Sequence, residues 1–138
     1  MKIVIRVVIL LTFLPCIVFA GVLDEFNGIR WKSKFPRQGY KLIRKSDEVK
    51  LRFYARANSN TLYGIPVQKV VYTVDKGVFN SAYADLDESS YKLVRQYLIT
   101  NYGQPVNMAG REVFSVSGNG RKAGAILQPG LVNFSYRD

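Results

Sequence analysis

The stretch QKVVYTVDKGVFNSAYADLDESSYKLVRQYLITNY covers residues 68–102. It contains the clearest sequence signals for strands and for a helix in this protein. Its first half contains two runs of β-branched and aromatic residues, 68–74 and 78–84, whose composition suits half-buried strands. The triplet Asp75-Lys76-Gly77 separates the runs, and its glycine can adopt the positive φ angle of a tight turn. We therefore predict a β-hairpin over residues 68–84.

The second half of the stretch predicts a helix over residues 88–102. Asp87 can cap its free N–H groups, and Glu88 favours the positive end of the helix dipole. Gly103 and Pro105 then end it. Large apolar side chains recur at spacings of three and four and form one stripe: Tyr91, Val94, Leu98 and Tyr102. A helix packed on a hairpin predicts an α+β fold with an antiparallel sheet.

The first 20 residues have the pattern of a signal peptide. Lys2 and Arg6 supply a positive start, residues 7–14 are apolar, and the segment ends in the small residue Ala20. We expect export to the periplasm or the medium with cleavage after Ala20, so that contact with the membrane is transient. A retained anchor is the alternative, because roughly 18 residues can just span a bilayer. Residues 21–138 are then a single domain.

Strands are also predicted on both sides of the central stretch. Residues 111–116, 123–127 and 131–136 are short apolar runs separated by turn sequences, which favours an antiparallel meander. Residues 40–44 and 49–55 predict a further hairpin. Strict alternation would turn Val49, Leu51, Phe53 and Ala55 to the core and would leave a basic stripe on the other face: Lys50, Arg52, Tyr54 and Arg56.

The positive charge is concentrated in one segment. Without Lys2 and Arg6 the chain has 18 basic and 10 acidic residues, a net charge of +8. The segment Arg30–Arg56 contains ten basic and two acidic residues, so it accounts for the whole excess. A localised positive field attracts anionic partners, although a solvated surface is the simpler interpretation.

Several chemistries are excluded by composition. The chain has no histidine, and its single cysteine, Cys16, lies in the signal segment. Serine and cysteine triads that use histidine, thiol redox chemistry and the usual zinc sites are therefore impossible in residues 21–138. Asp85, Asp87 and Glu88 could bind calcium or act as an acid–base pair, but they match no EF-hand spacing, and capping accounts for Asp87 and Glu88. We predict no enzyme activity, catalytic residue, metal or cofactor.

The F-x-G-I-x-W pattern of Phe26, Gly28, Ile29 and Trp31 resembles the start of small exported bacterial proteins that have no assigned activity. The hairpin at residues 70–79 and the helix end at residues 102–105 are similar to theirs as well. A glycine commonly follows the tryptophan in that group, where this chain has Lys32, so the local turn is expected to differ. The resemblance spans most of residues 26–105. It implies the fold and export, and it implies no catalytic residue.

Three classes of function follow from these patterns. The first is a binding module that holds anionic envelope material on Lys50, Arg52, Tyr54 and Arg56. The second is a protein-interaction or inhibitor module that acts through a loop such as Leu62–Val67. The third is a hydrolase with paired carboxylates, for which no motif is present. Basic residues beside Phe53 are also typical of single-strand binders, but no RNP-type motif is present and an exported protein rarely meets RNA, so we expect no nucleic-acid partner.

Cleavage after Ala20 would give the exported protein an N-terminus at or near Gly21. N-terminal sequencing or an intact mass of the exported protein checks this expectation. Recovery of the chain from a membrane fraction with Met1 still attached would contradict it.

Overall fold

The computed structural model describes residues 21–138, in which twelve strands and one helix are labelled in chain order. Their bounds are β1 Glu25–Phe26, β2 Ile29–Arg30, β3 Tyr40–Ser46, β4 Leu51–Arg56, β5 Thr61–Leu62, β6 Ile65–Pro66, β7 Lys69–Asp75, β8 Val78–Asp85, α1 Glu88–Tyr102, β9 Val106–Met108, β10 Arg111–Gly118, β11 Arg121–Gln128 and β12 Leu131–Arg137. The predicted signal segment lies outside the described residues.

Eight strands form one antiparallel sheet in the order β3-β4-β7-β8-β12-β11-β10-β9. The other four strands form two small hairpins, β1-β2 and β5-β6. The fold is therefore α+β, as predicted, but the sheet dominates it. The hairpin β7-β8 and the meander β10-β11-β12 are confirmed, since each has direct antiparallel pairing between neighbours in the chain.

The helix α1 begins and ends where the sequence predicts. The Asp87 carboxylate accepts a hydrogen bond from the Ser90 amide at 2.8 Å, and the Ser90 hydroxyl accepts one from the Asp87 amide at 3.0 Å. Donors from Ser90 and Ser89 lower the pKa of Asp87. At the other end the Gly103 amide donates to the Ile99 carbonyl, with a φ of +94° that suits glycine.

The core lies between one face of the sheet and the elements that cover it. Val94, Leu98 and Tyr102 of α1 are buried, which confirms the stripe for these three positions, and Tyr91 is half-buried. Arg95 donates to both carboxylate oxygens of Glu112 on β10 at 2.7 and 2.8 Å, and this pairing lowers the pKa of Glu112. A bidentate pair and an apolar stripe together fix the orientation of the helix on the sheet.

The N-terminal segment covers the rest of the same face. Phe26, Ile29 and Trp31 are buried, so these residues tie the segment to the core as their size suggests. The Phe26 ring lies 4.7 Å from that of Phe134, and the Trp31 ring stacks on that of Phe79 at 4.9 Å. The helix and both small hairpins therefore share one face of the sheet, which we call the covered face.

The hairpin β3-β4 is present, but the predicted faces of β4 are wrong, although Ala55 is buried as expected. Arg52 and Tyr54 on β4 stand opposite Val74 and Tyr72 on β7, whose side chains are buried in the core. The stripe that was expected to be exposed therefore points to the covered face, and Tyr54 is only 7% exposed. Leu51 and Phe53 point to the other face, and Val49 lies in the turn, 56% exposed. Alternation fixes two faces but not which one is covered, and the pairing of Tyr54 with buried Tyr72 places the set that includes Tyr54 on the covered face.

Residues 62–67 also differ from their expectation as a loop. They form most of the hairpin β5-β6, with Leu62 fully buried and Tyr63 at the turn with a φ of +53°. The turn Asn27-Gly28 between β1 and β2 was not predicted at all. Both of its residues have positive φ angles, 51° and 87°, as a two-residue type I′ hairpin turn requires.

Truncation of Leu98 tests this packing. Leu98 has no exposed surface, so Leu98→Ala should lower the free energy of unfolding by about 2–5 kcal/mol, the range for large-to-small core changes. Gln96→Ala is the matched control on the exposed side of the same helix, where the change should be within about 0.5 kcal/mol. Equal losses in a denaturant titration would mean that α1 is rotated relative to this description.

Candidate functional site

A groove opens at one end of the sheet, where the turns of the hairpins β3-β4 and β7-β8 lie side by side. Its volume is about 520 Å³. Positively charged and aromatic side chains make up most of its lining, which consists of Phe35, Pro36, Asp47, Lys50, Arg52, Tyr54, Val74, Lys76 and Gly77. We call this the basic groove. Three of the four residues predicted to bind a partner line it, and Arg56 does not.

Direct pairing of the two hairpins brings their turns together. Leu51 stands opposite Asp75, and the Lys76 amide donates to the Lys50 carbonyl at 3.3 Å. Lys50 and Lys76 each have a φ of +52°, so both lysines adopt the left-handed backbone conformation within their turns. These two ammonium-bearing side chains, 26 positions apart in the chain, thereby line the same opening.

The third wall comes from the segment that follows β2. The Phe35 amide donates to the Gly77 carbonyl at 3.1 Å, and the Phe79 amide donates to the Ser33 carbonyl at 2.9 Å. Residues 33–35 thus extend along the first part of β8, with Lys34 bridged to Val78. These backbone hydrogen bonds attach the wall to the start of β8.

Arg52 is the most firmly held cation of the groove. Its guanidinium donates to the Ser46 carbonyl at 3.3 Å, to the Leu51 carbonyl at 3.0 Å and to the Asp47 carboxylate at 3.4 Å. The Asp47 side chain is 75% exposed, so this ion pair contributes little stability. Lys50 and Lys76 are exposed, and neither forms an ion pair with any residue in the range 21–138.

Tyr54 forms the floor of the groove. Its ring lies 5.0 Å from that of Phe35, and both residues are 7% exposed. A ring buried this deeply supports the groove from below and offers a ligand at most an edge. The role in partner binding that the sequence assigns to Tyr54 stays a prediction, and the packing of this ring against Phe35 supports the groove.

Arg56 serves a different part of the molecule. Its Nε donates to the Tyr40 hydroxyl at 2.8 Å, and its terminal nitrogen donates to the Asn27 carbonyl at 3.4 Å. The hydrogen bond to Tyr40 raises the pKa of Arg56. Arg56 therefore anchors the β1-β2 turn to β4 rather than facing a partner from the groove.

The charge of the groove is a net +2 if Lys50, Arg52 and Lys76 are counted against Asp47. Sequence reasoning missed Lys76, because this residue lies outside the basic segment Arg30–Arg56. Its position in the turn Asp75-Lys76-Gly77 was visible in the sequence. Its neighbour across the sheet was not, since the pairing of β4 with β7 is non-local.

The acidic cluster of the sequence has another role. The Asp87 carboxylate is occupied by its hydrogen bonds from Ser89 and Ser90 at the start of α1. Within residues 21–138, acidic side chains do not gather in groups of three or more that could hold a metal ion. In the same range, no helix has the length and apolar character to cross a bilayer.

Comparison with known proteins adds no identity. No family model matches this chain, and no curated protein or solved structure is significantly similar to it. The likeness of the F-x-G-I-x-W stretch to exported bacterial proteins stays a prediction. The site is therefore interpreted from its own geometry.

Proposed function

We propose that this protein is an exported, non-enzymatic binding module that holds an anionic partner from the cell envelope in the basic groove. The observation that carries the proposal is the convergence of Lys50, Arg52 and Lys76 on one opening. Export rests on the signal pattern of residues 1–20.

The state of the three cations supports an anionic partner. Arg52 is oriented by backbone carbonyls and leaves part of its surface open, while the two lysine side chains are exposed and without an ion pair in residues 21–138. Exposed cations around a partly enclosed opening focus the electrostatic field and accelerate the arrival of anions. The volume of the groove, about 520 Å³, is also large enough for an anionic group together with the polymer unit or lipid headgroup that bears it.

The chemistry of the groove supports binding without catalysis. Asp47 is the only carboxylate among its lining residues, and Arg52 already contacts it. Paired carboxylates across a cleft, which a glycoside hydrolase needs, are not part of that lining. The groove contains no histidine or cysteine either, so acid–base and nucleophilic systems that depend on an imidazole or a thiol are not available there.

The alternative, an interaction module that acts through Leu62–Val67, has a smaller surface to offer. The Leu62 side chain is fully buried, and the Tyr63 amide is held by the Asn27 side chain at 2.7 Å. Gly64 and Pro66 are the exposed residues of this hairpin. This hairpin therefore offers a partner few exposed side chains with which to interact.

Charge reversal in the groove tests the proposal. Lys50→Glu/Lys76→Glu should weaken capture of envelope material by at least about tenfold, because two exposed ion pairs of roughly 0.5–1 kcal/mol each would become repulsions of similar size. Capture by the wild-type protein should also fall steeply with salt, since exposed charges are screened beyond roughly 8 Å at physiological ionic strength. The measurement is retention of envelope extract on immobilised mature protein at a series of salt concentrations.

Lys69→Glu/Arg111→Glu is the matched control, because it makes the same change in net charge at exposed positions outside the groove. It should retain nearly all capture. If both double variants lose capture equally, only the overall charge matters and the groove is not the site. If neither loses it, the hairpin β5-β6 becomes the better candidate.

A further inference from the structure

We propose that a second, smaller site on the face opposite the covered face binds a tetrahedral oxyanion, the phosphate or sulfate group of a larger ligand. The site lies between β11 and β12 and has a volume of about 300 Å³. Its lining is formed by Lys122, Gly124, Ser135, Tyr136 and Arg137. We call it the oxyanion site. It shares no residue with the basic groove, so it does not rest on the function proposed above.

The register of the two strands brings two cations together. Lys122 on β11 stands directly opposite Arg137 on β12, and both side chains are exposed. Like charges at directly opposite positions of an antiparallel pair destabilise the sheet. An anion between the two side chains would turn this repulsion into two attractions.

The neighbouring carboxylates are engaged elsewhere. Asp138 lies 3.2 Å from the Lys32 ammonium, and Asp24 lies 3.0 Å from the Arg121 guanidinium. Within residues 21–138, neither Lys122 nor Arg137 forms an ion pair with a carboxylate. The two cations therefore stand at opposite positions of neighbouring strands without an ion pair to a carboxylate in residues 21–138.

Gly124 supplies the space for a ligand. It stands opposite Ser135 on one side and Ser115 on the other, and no side chain rises from its own position. A Cβ atom built there would lie 3.5 Å from the Ser135 hydroxyl oxygen and 3.4 Å from the Phe114 carbonyl oxygen. Any side chain at this position would thus occupy the floor of the site beside the serine hydroxyl.

The donor set fits an oxyanion with several oxygen atoms. Arg137 offers a planar fork of N–H donors, Lys122 offers an ammonium group, and Ser135 offers a hydroxyl. Carboxylate side chains, which would favour a cation, are not among the lining residues. A phosphate or sulfate group can accept from all three donors at once, whereas a planar carboxylate has only two oxygens to share.

The direct test is an NMR titration of the mature protein with inorganic phosphate at low ionic strength, followed through backbone amide shifts. We expect saturable shifts that are concentrated at Gly124, Ser135 and their strand neighbours. Parallel titrations with sulfate and with acetate distinguish the ligand classes. Preference for phosphate points to a phosphorylated ligand, and preference for sulfate to a sulfated one. Equal response to acetate, or shifts that rise linearly without saturation, would overturn the proposal.

Three variants in the site and one control outside it separate a built site from general charge. Lys122→Gln/Arg137→Gln should weaken phosphate binding at least about tenfold. Gly124→Val should weaken it to a similar extent without changing any charge, because its side chain fills the floor. Gly124→Ala is a smaller substitution at the same place, and a strand position tolerates alanine at least as well as glycine. Lys69→Gln/Arg111→Gln should leave the shifts unchanged.

If a folded Gly124→Val or Gly124→Ala protein bound phosphate as tightly as the wild type, the space at Gly124 would not be part of the site. That result would contradict the proposal. Losses of equal size in the Lys69→Gln/Arg111→Gln control would contradict it too. Lys50→Glu/Lys76→Glu should retain phosphate binding at the oxyanion site whatever its effect on capture of envelope material. The proposals for the basic groove and for the oxyanion site can therefore be tested independently of each other.

Discussion

The hydrogen bonds of one buried side chain, that of Asn27, hold together the parts of the structure on which the groove depends. Its amide donates to the Thr61 carbonyl and to the Tyr72 hydroxyl, each at 2.8 Å, and its Oδ1 accepts from the Tyr63 amide at 2.7 Å. The N-terminal hairpin, the hairpin β5-β6 and the sheet thus meet at one residue. Each buried polar group left without its partner would cost about 1–3 kcal/mol, so a smaller apolar residue would loosen all three contacts together.

The groove follows from this attachment. Once the β1-β2 turn is fixed, Trp31 packs against Phe79, and the chain continues as the extended segment that pairs with the start of β8 and supplies Phe35. The opposite wall comes from two hairpin turns that pair across the sheet. The cations of the site are therefore positioned by backbone hydrogen bonds and aromatic packing. These contacts position the groove in residues 21–138, a range that contains no cysteine and therefore no disulfide.

Local signals predicted the elements, and non-local contacts decided their faces. The hairpin β7-β8 and helix α1 were predictable because a turn glycine, the cap Asp87 and the stripe that includes Leu98 all act within a few residues. The faces of β4 were not, since both of its alternating sets include an aromatic residue, and the pairing of Tyr54 with Tyr72 settles which set is buried. Lys76 could not be predicted as a site residue for the same reason, because the non-local pairing of β4 with β7 brings it to the groove. The Asn27-Gly28 turn is different, because this dipeptide between Phe26 and Ile29 is a strong local hairpin signal and was predictable from the sequence.

If the basic groove is the surface that meets the partner, binding should protect the backbone amides around it from hydrogen exchange. Exchange of the mature wild-type protein would be measured with and without bound envelope material, at low salt and again at high salt. We expect slower exchange at residues 47–50, 76–77 and 33–35 at low salt, and loss of that protection at high salt. Protection confined to residues 62–67, or protection that salt does not change, would contradict it.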